Sequence, residues 1–299
     1  MDENFIETAR DVGRVGYSAL KDAKAMIKPG VKLIDVAEKI EKSIIEKGYR
    51  CAFPINLSIN NEAAHYTPKL NDERVFSEND LIKIDFGVEK NGVLSDCAIS
   101  VDLSGRYQEL VETSKEALEA ALSIVKDGVE VRKIGKAIED TIAKHGFIPI
   151  KNLGGHGVDI HNLHSDIFIP NFDNGDTTKL EEGKIIAIEP FVTNGKKGLV
   201  IEGDFCEIYQ FENDVSVRSP NARKILNEIK TSYNYEPFAA RWLSKAVDSS
   251  FGLYAGINEL YRAGALDAYP VLIEQSEGIV AQTEVDLIVG SDSCEVLTK

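Results

Sequence analysis

Residues Leu81–Leu103 read LIKIDFGVEKNGVLSDCAISVDL, two runs rich in Ile and Val on either side of Asn91-Gly92. That dipeptide favours a two-residue turn, so the stretch reads as a β-hairpin. With Asn91 and Gly92 as the loop, Lys90 pairs with Val93, and counting outward sets Ile82 opposite Val101, Ile84 opposite Ile99 and Phe86 opposite Cys97. One face is then apolar. The other carries Asp85, Gly87, Asp96, Ala98 and Ser100, two carboxylates set diagonally across the pair among side chains too small to fill a core. Such a face suits the lining of a cavity. Two acids there repel each other unless a proton or cation joins them, and hard divalent ions favour oxygen ligands. The same aspartates also fit a solvated outer face, and the rest of the chain has to separate the two readings.

Composition narrows the class. The 299 residues are 43% hydrophobic, enough to bury the core of one large domain or two ordinary ones. Asp and Glu number 49 against 34 Lys and Arg, and the formal charge of −15 argues against a nucleic-acid backbone or an anionic membrane as main partner. It suits a cation site. No apolar run approaches the roughly 20 residues of a bilayer span. The start, MDENFIETARDV, lacks the basic and apolar segments of a signal peptide, so a cytoplasmic protein is expected. Cys51, Cys97, Cys206 and Cys294 lie far apart without a CxxC, which suggests buried small hydrophobes rather than a zinc knuckle or a disulfide framework.

Taken in order, the spacing of Phe5, Ala9, Val12, Gly16, Ala19, Ala23 and Met26 predicts a helix over Asn4–Ile27, ended by Pro29-Gly30. A second runs over Leu33–Lys47, with Val36, Ile40 and Ile44 on one face and Gly48 as terminator. A strand over Cys51–Ile59 leads into NNEAAHYTP, which holds His65, and then into the hairpin. Tyr107–Lys126 and Val131–His145 are again helical in pattern. Gly30–Tyr49 laid over Gly128–Phe147 matches Ile40 with Ile138, Glu41 with Glu139, Ile44 with Ile142 and Gly48 with Gly146 at constant register. The chain therefore reads as two related halves, each of two helices followed by strands, sharing one sheet about an approximate two-fold axis. ENDLIKIDFG resembles EGKIIAIEPF, which puts Glu189 where the first half has Asp85. A second acidic pair is expected opposite the first. Its other member falls to Glu284, in the late strand Gly278–Val289 (GIVAQTEVDLIV). Residues 219–268 between them read as three helical stretches, a helical insertion in which Arg241, Trp242 and Tyr261 are expected to pack.

Three of five histidines fall in GGHGVDIHNLH, at His156, His161 and His164. Extended chain would carry His164 roughly 26 Å from His156, so both reach one site only if the chain bends, which Gly154, Gly155 and Gly157 permit. His161 has the opposite strand parity and reads as a structural histidine. Asp85, Asp96, His156, Glu189 and Glu284 together give four carboxylates and one imidazole, a set that fits two divalent ions bridged by carboxylates. Those ligand types admit cobalt, manganese, iron or zinc.

At these residues AFPINLSIN, NNEAAHYTP, IDFGVEKNGVLSDCA, GHGVDIHNLH, IEPF and AQTE resemble, in order, the motifs of methionine aminopeptidases, and the helical insertion resembles the archaeal form of the type 2 enzymes. The resemblance covers nearly the whole chain. It implies an α+β pita-bread fold made of the two halves, in a single catalytic domain over 1–299 with the insertion at 219–268. It implies the five residues above as metal ligands, His65 and His164 as substrate-facing histidines, and Phe53 in the methionine side-chain pocket. Residue Ile208 stands before Tyr209 where type 2 enzymes often place a histidine, and Glu284-Val285-Asp286 stands for the usual Glu-His-Thr, with Thr283 in place of a common aromatic. Such changes around ligands bear on metal preference. The implied activity is removal of the N-terminal methionine from nascent chains with a small second residue. A hydroxide bridging two metals attacks, Glu189 shuttles the proton, and His65 and His164 stabilise or position the carbonyl. A monomer acting near the ribosome is expected. Two alternatives share the fold: a proline-peptide hydrolase, which usually carries a further N-terminal domain, and a non-catalytic binding protein that has lost ligands.

Overall fold

The computed structural model describes residues 3–233 and 236–299; Met1, Asp2, Asn234 and Tyr235 lie outside the described residues, the last two within the expected insertion. Helices α1 (Glu3–Met26) and α2 (Leu33–Glu46) come first, followed by strands β1 (Asn56–Ile59), β2 (Leu81–Phe86) and β3 (Cys97–Asp102). Helices α3 (Gln108–Leu122) and α4 (Val131–Lys144) open the second half. Its strands are β4 (Gly154–Asp159), β5 (Asn162–Pro170), β6 (Ile185–Ile188), β7 (Glu284–Val289) and β8 (Cys294–Val296). All eight pair antiparallel in one sheet, in the order β5-β4-β6-β7-β3-β2-β1 with β8 against β7.

The expected duplication is visible in that order. The seam lies between β7 and β3, where Glu284 faces Ala98 and Val285 faces Cys97; β2 and β3 on one side correspond to β6 and β7 on the other. Each half buries its own helix pair. Val36, Ile40 and Ile44 of α2 pack with Ile82, Ile84 and Phe86, while Ile134, Ile138 and Ile142 of α4 pack with Ile186, Ile188 and Leu287. A fully buried aliphatic side chain of this size contributes about 1.5–3 kcal/mol, so these matched stripes hold helices to sheet in both halves.

The hairpin keeps the expected register, with Ile82 opposite Val101, Ile84 opposite Ile99, Phe86 opposite Cys97 and Lys90 opposite Val93. Asn91 and Gly92 have φ of 54° and 83°, as the two-residue turn demands. The ribbon is nevertheless broken. Val88–Lys90 leaves the main sheet to pair with Arg50–Cys51 and Val93–Leu94, and at the break a Cβ on Gly87 would lie 2.1 Å from Ser95 O. Only glycine lets the two chains come that close.

Other expectations are corrected. Cys51–Ile59 is two strands, Arg50–Cys51 and β1, with Phe53 on the bend, and Gly278–Val289 breaks at Thr283 into Val280–Gln282 and β7. Within 219–268, α5 (Pro220–Ser232) and α6 (Ser250–Arg262) are helical, with Ser219 Oγ accepting Ala222 N–H at 3.0 Å to cap α5. The middle stretch is not an α-helix. Phe238–Ala239 pairs as a strand with Ile208–Tyr209, and Ala240–Ala246 follows as a 3-10 helix, tertiary pairing having overridden local propensity. Trp242 packs against this segment's own core, whereas Tyr261 is half exposed because α6 turns Leu253, Ile257 and Leu260 inward. Cys51 and Cys97 are buried, but Cys206 and Cys294 only partly so. No described helix is long and apolar enough to cross a membrane.

Candidate metal centre

Four adjacent strands, β6, β7, β3 and β2, bring acids to the same end of the sheet. Asp85 is next to last in β2, Asp96 immediately precedes β3, Glu284 opens β7 and Glu189 follows β6. His156 joins them from β4. The amide nitrogen of Gln282 lies 3.2 Å from Asp85 Oδ2, 3.3 Å from Glu189 Oε2 and 3.3 Å from Glu284 Oε2. One NH₂ group thus faces three carboxylates with two hydrogens. His156 Nε2 is 3.7 Å from Asp96 Oδ2, and donor atoms of Asp96, His156 and Glu284 all lie within 4.8 Å of one another.

This donor set fits divalent cations. Oδ1 of Asp85, Oδ1 of Asp96 and Oε1 of Glu284 are buried without a hydrogen-bond partner, an arrangement that costs free energy unless positive charge is supplied. Burial, with only partial relief from Gln282, pushes Asp85 up to about 7. Asp96, Glu189 and Glu284 are raised well above the usual carboxylate range, first by burial and then by neighbouring carboxylates, Asp85 for Asp96 and Glu189, and Asp96 for Glu284. Burial lowers His156 to about 3, so its ring is neutral. Its Nδ1–H is placed to donate to Gly157 O at 3.2 Å, which leaves the Nε2 lone pair free on the side of Asp96.

Above the acids opens a cavity of about 500 Å³ that takes in Phe53, His65, His164 and Ile208, along with Asn56 and Tyr269. Phe53 and Ile208 are buried, and His164 is exposed at the mouth with its ring 4.3 Å from that of His156. His65 has φ of 67°, unusual for a residue with a side chain. Its Nδ1 bonds to Pro270 O at 3.2 Å and its ring meets Tyr269 edge-on at 5.7 Å. All nine residues singled out in the sequence therefore meet at one place. A larger hollow of about 780 Å³ lies between the start of α1, the β4–β5 hairpin and the loop before β6, away from the acids.

The chain does bend to bring His156 and His164 together, but not at the glycines. The turn falls at Ile160-His161, and β4 and β5 run back as a hairpin. His161 has φ of 55° and its N–H donates to Gly92 O at 2.8 Å. Its side chain is 54% exposed, so it is a turn residue and not a core one. The glycines permit close approach instead: a Cβ on Gly155 would lie 2.1 Å from Ala187 O in β6. Gln282 and Asn56 were not singled out in the sequence. Gln282 shares strand parity with Glu284, and Asn56 sits opposite Asp85, so pairing across strands was the available signal. The unusual residues near Glu284 each have a partner. Thr283 Oγ1 bonds Ser114 Oγ of α3 at 2.7 Å, Val285 packs in the second-half core, and buried Asp286 accepts Asp96 N–H at 2.6 Å.

The model of metallopeptidase family M24 matches residues 7–219. The methionine aminopeptidase of Archaeoglobus fulgidus is 47% identical over the whole of both chains, and that of Pyrococcus horikoshii is 44% identical over 97% of this chain and 98% of its own. Among solved structures, a thermophilic Arx1 superposes with a TM-score of 0.86 at 17% identity, covering 99% of this chain and 91% of that one. The Thermotoga maritima methionine aminopeptidase gives 0.73 at 22%, covering 100% and 98%. A curled antiparallel sheet with an acid-and-imidazole cluster at its centre defines a pita-bread metallohydrolase. The chain belongs to metallopeptidase family M24 and, within it, to the archaeal-type methionine aminopeptidases.

Proposed function

We propose that the chain removes the N-terminal methionine of proteins and peptides with a small second residue, using two divalent ions (cobalt, manganese, iron or zinc) held by Asp85, Asp96, His156, Glu189 and Glu284. The observation that carries this is the convergence of those five groups, with orphaned carboxylate oxygens, on the floor of a cavity walled by Phe53, His65, His164 and Ile208. When bound, the ions supply Lewis acidity and bring the pKa of water toward neutrality. Glu189 accepts the proton of the attacking water and returns it to the leaving amine, as a carboxylate beside the nucleophile can. His65, its Nδ1–H committed to Pro270 O, would turn Nε2 toward substrate. With His164 at the mouth it orients the scissile carbonyl and stabilises its developing negative charge. Phe53 and Ile208 form the apolar subsite for the methionine side chain. Residues 1–299 act as one catalytic domain with 219–268 inserted, working as a monomer in the cytoplasm on chains leaving the ribosome.

The test is to offer a Met-Ala-Ser peptide and an Ala-Pro peptide with added manganese or cobalt. Release of methionine alone is the expected result. Release of alanine would point to a proline-peptide hydrolase, and release of neither to a binding protein.

A further inference from the structure

Glu41 of α2 and Arg241 of the 3-10 helix form an ion pair between positions 200 apart in the chain, both almost fully buried. Each arm of the pair reaches a wall of the catalytic cavity. Glu41 Oε1 also accepts Ile55 N–H at 3.3 Å, two residues beyond Phe53, and Glu41 Oε2 accepts Trp242 Nε1–H at 2.8 Å. Arg241 Nη1 donates to Thr67 Oγ1 at 2.8 Å and Pro68 O at 2.9 Å, just after His65. Two residues before Arg241, Ala239 pairs with Ile208. The three segments that bear Phe53, His65 and Ile208 therefore meet at one buried pair that does not itself line the cavity.

Stability alone is a weak account of this arrangement, since buried ion pairs contribute little more than apolar packing of equal volume. A guanidinium fork does fix position in two directions. His65 needs such fixing: a side chain held at positive φ costs about 1–3 kcal/mol and persists only where its surroundings impose it. We infer that Glu41 and Arg241 are positioning residues that set the spacing of Phe53, His65 and Ile208, and so the selectivity of the methionine subsite. This rests on the aminopeptidase reading and extends it from the metal centre to the side-chain pocket.

The test compares wild type with Arg241→Met, Arg241→Lys and the double variant Glu41→Leu/Arg241→Met. The readouts are kcat and KM on Met-Ala-Ser and Leu-Ala-Ser peptides, calorimetric manganese titration, and hydrogen exchange over residues 53–58 and 64–69. Arg241→Met should raise KM for the methionine peptide about tenfold or more and, because His65 loosens with the pocket, lower kcat by less than about tenfold, well short of the loss expected on removing the His65 ring, with a reduced preference for methionine over leucine. Arg241→Lys, which keeps the charge without the fork, should fall between. Manganese affinity should not move, and exchange in both segments should rise. The double variant leaves no unpaired charge and should fold normally yet keep the loss of selectivity, which a purely structural role would not produce. A folded double variant with wild-type KM and wild-type selectivity would overturn the inference. If wild type released no methionine, the aminopeptidase reading alone would fall. Exchange would then decide, unchanged exchange in Arg241→Met overturning the tie between the three walls and raised exchange upholding it.

Discussion

His65 combines two features that belong together, a backbone at φ 67° and a ring whose Nδ1 is committed to Pro270 O. Both aim the remaining nitrogen. Replacing His65 by Ala should lower kcat by about 10²–10³-fold while manganese content, measured by elemental analysis, stays at the wild-type level; turnover that survives unchanged would reject the role. Gln282→Leu removes the amide that faces three carboxylates. Manganese affinity by calorimetry should weaken about 10–100-fold. Glu207 offers a pH test away from the acids. Burial raises it to about 7 although Tyr254 Oη donates to it at 3.2 Å. The folded state therefore keeps a proton that the unfolded chain releases, and stability falls as pH rises from the ordinary carboxylate range through 7. Glu207→Gln should gain about 1–3 kcal/mol above pH 7 and nothing below about pH 4, as denaturant melts at the two pH values would show. At this scale the acids were legible because strand parity put Asp85 and Asp96 on one face. Gln282 shares that logic but not the ligand chemistry that draws attention, and no local pattern could join Glu41 to Arg241 across most of the chain.

At the scale of elements, the Asn91-Gly92 turn fixed the register of the hairpin, and a constant offset between the two helix pairs revealed the duplication. What escaped was decided by close backbone contact. Gly154, Gly155 and Gly157 look like a flexible hinge in sequence, yet Gly155 is where β4 presses against β6 and the hinge lies at Ile160-His161. Gly155→Ala should therefore cost about 1–3 kcal/mol of stability through overpacking. It should also disturb His156 next door, read as a lower melting temperature together with weaker manganese binding. The same alanine at exposed Gly175, where the added carbon meets no neighbour within 4 Å but φ is 81°, should cost only backbone strain and leave metal binding alone. The middle stretch of the insertion was misread because its periodicity is helical, while the backbone partner of its strand Phe238–Ala239, Ile208–Tyr209, lies some thirty residues earlier.

Across the whole molecule, stability and metal are linked by sign. Asp85, Asp96, Glu189 and Glu284 all have raised pKa values in the fold, so without cations the folded state binds more protons than the unfolded one. Its stability should then decline as pH rises from the carboxylate range toward about 7 and beyond. Saturating manganese should flatten that decline and raise the melting temperature, because an ion that binds only the folded state stabilises it by mass action. Thermal melts in chelator and in manganese across that range give the comparison; a melting temperature indifferent to pH in chelator would contradict the linkage. The seam between β3 and β7 gives this a further meaning. The strand ladder there is short, two paired positions supplemented by Asp96 N–H to Asp286 and by Ser100 Oγ to the Gln282 backbone, and the proposed ligands divide as two carboxylates from the earlier half against two carboxylates and an imidazole from the later one. Neither portion owns a complete coordination shell. The cation is then a clasp as much as a reagent, and two separately produced fragments should recognise each other far more tightly when it is offered than when it is withheld.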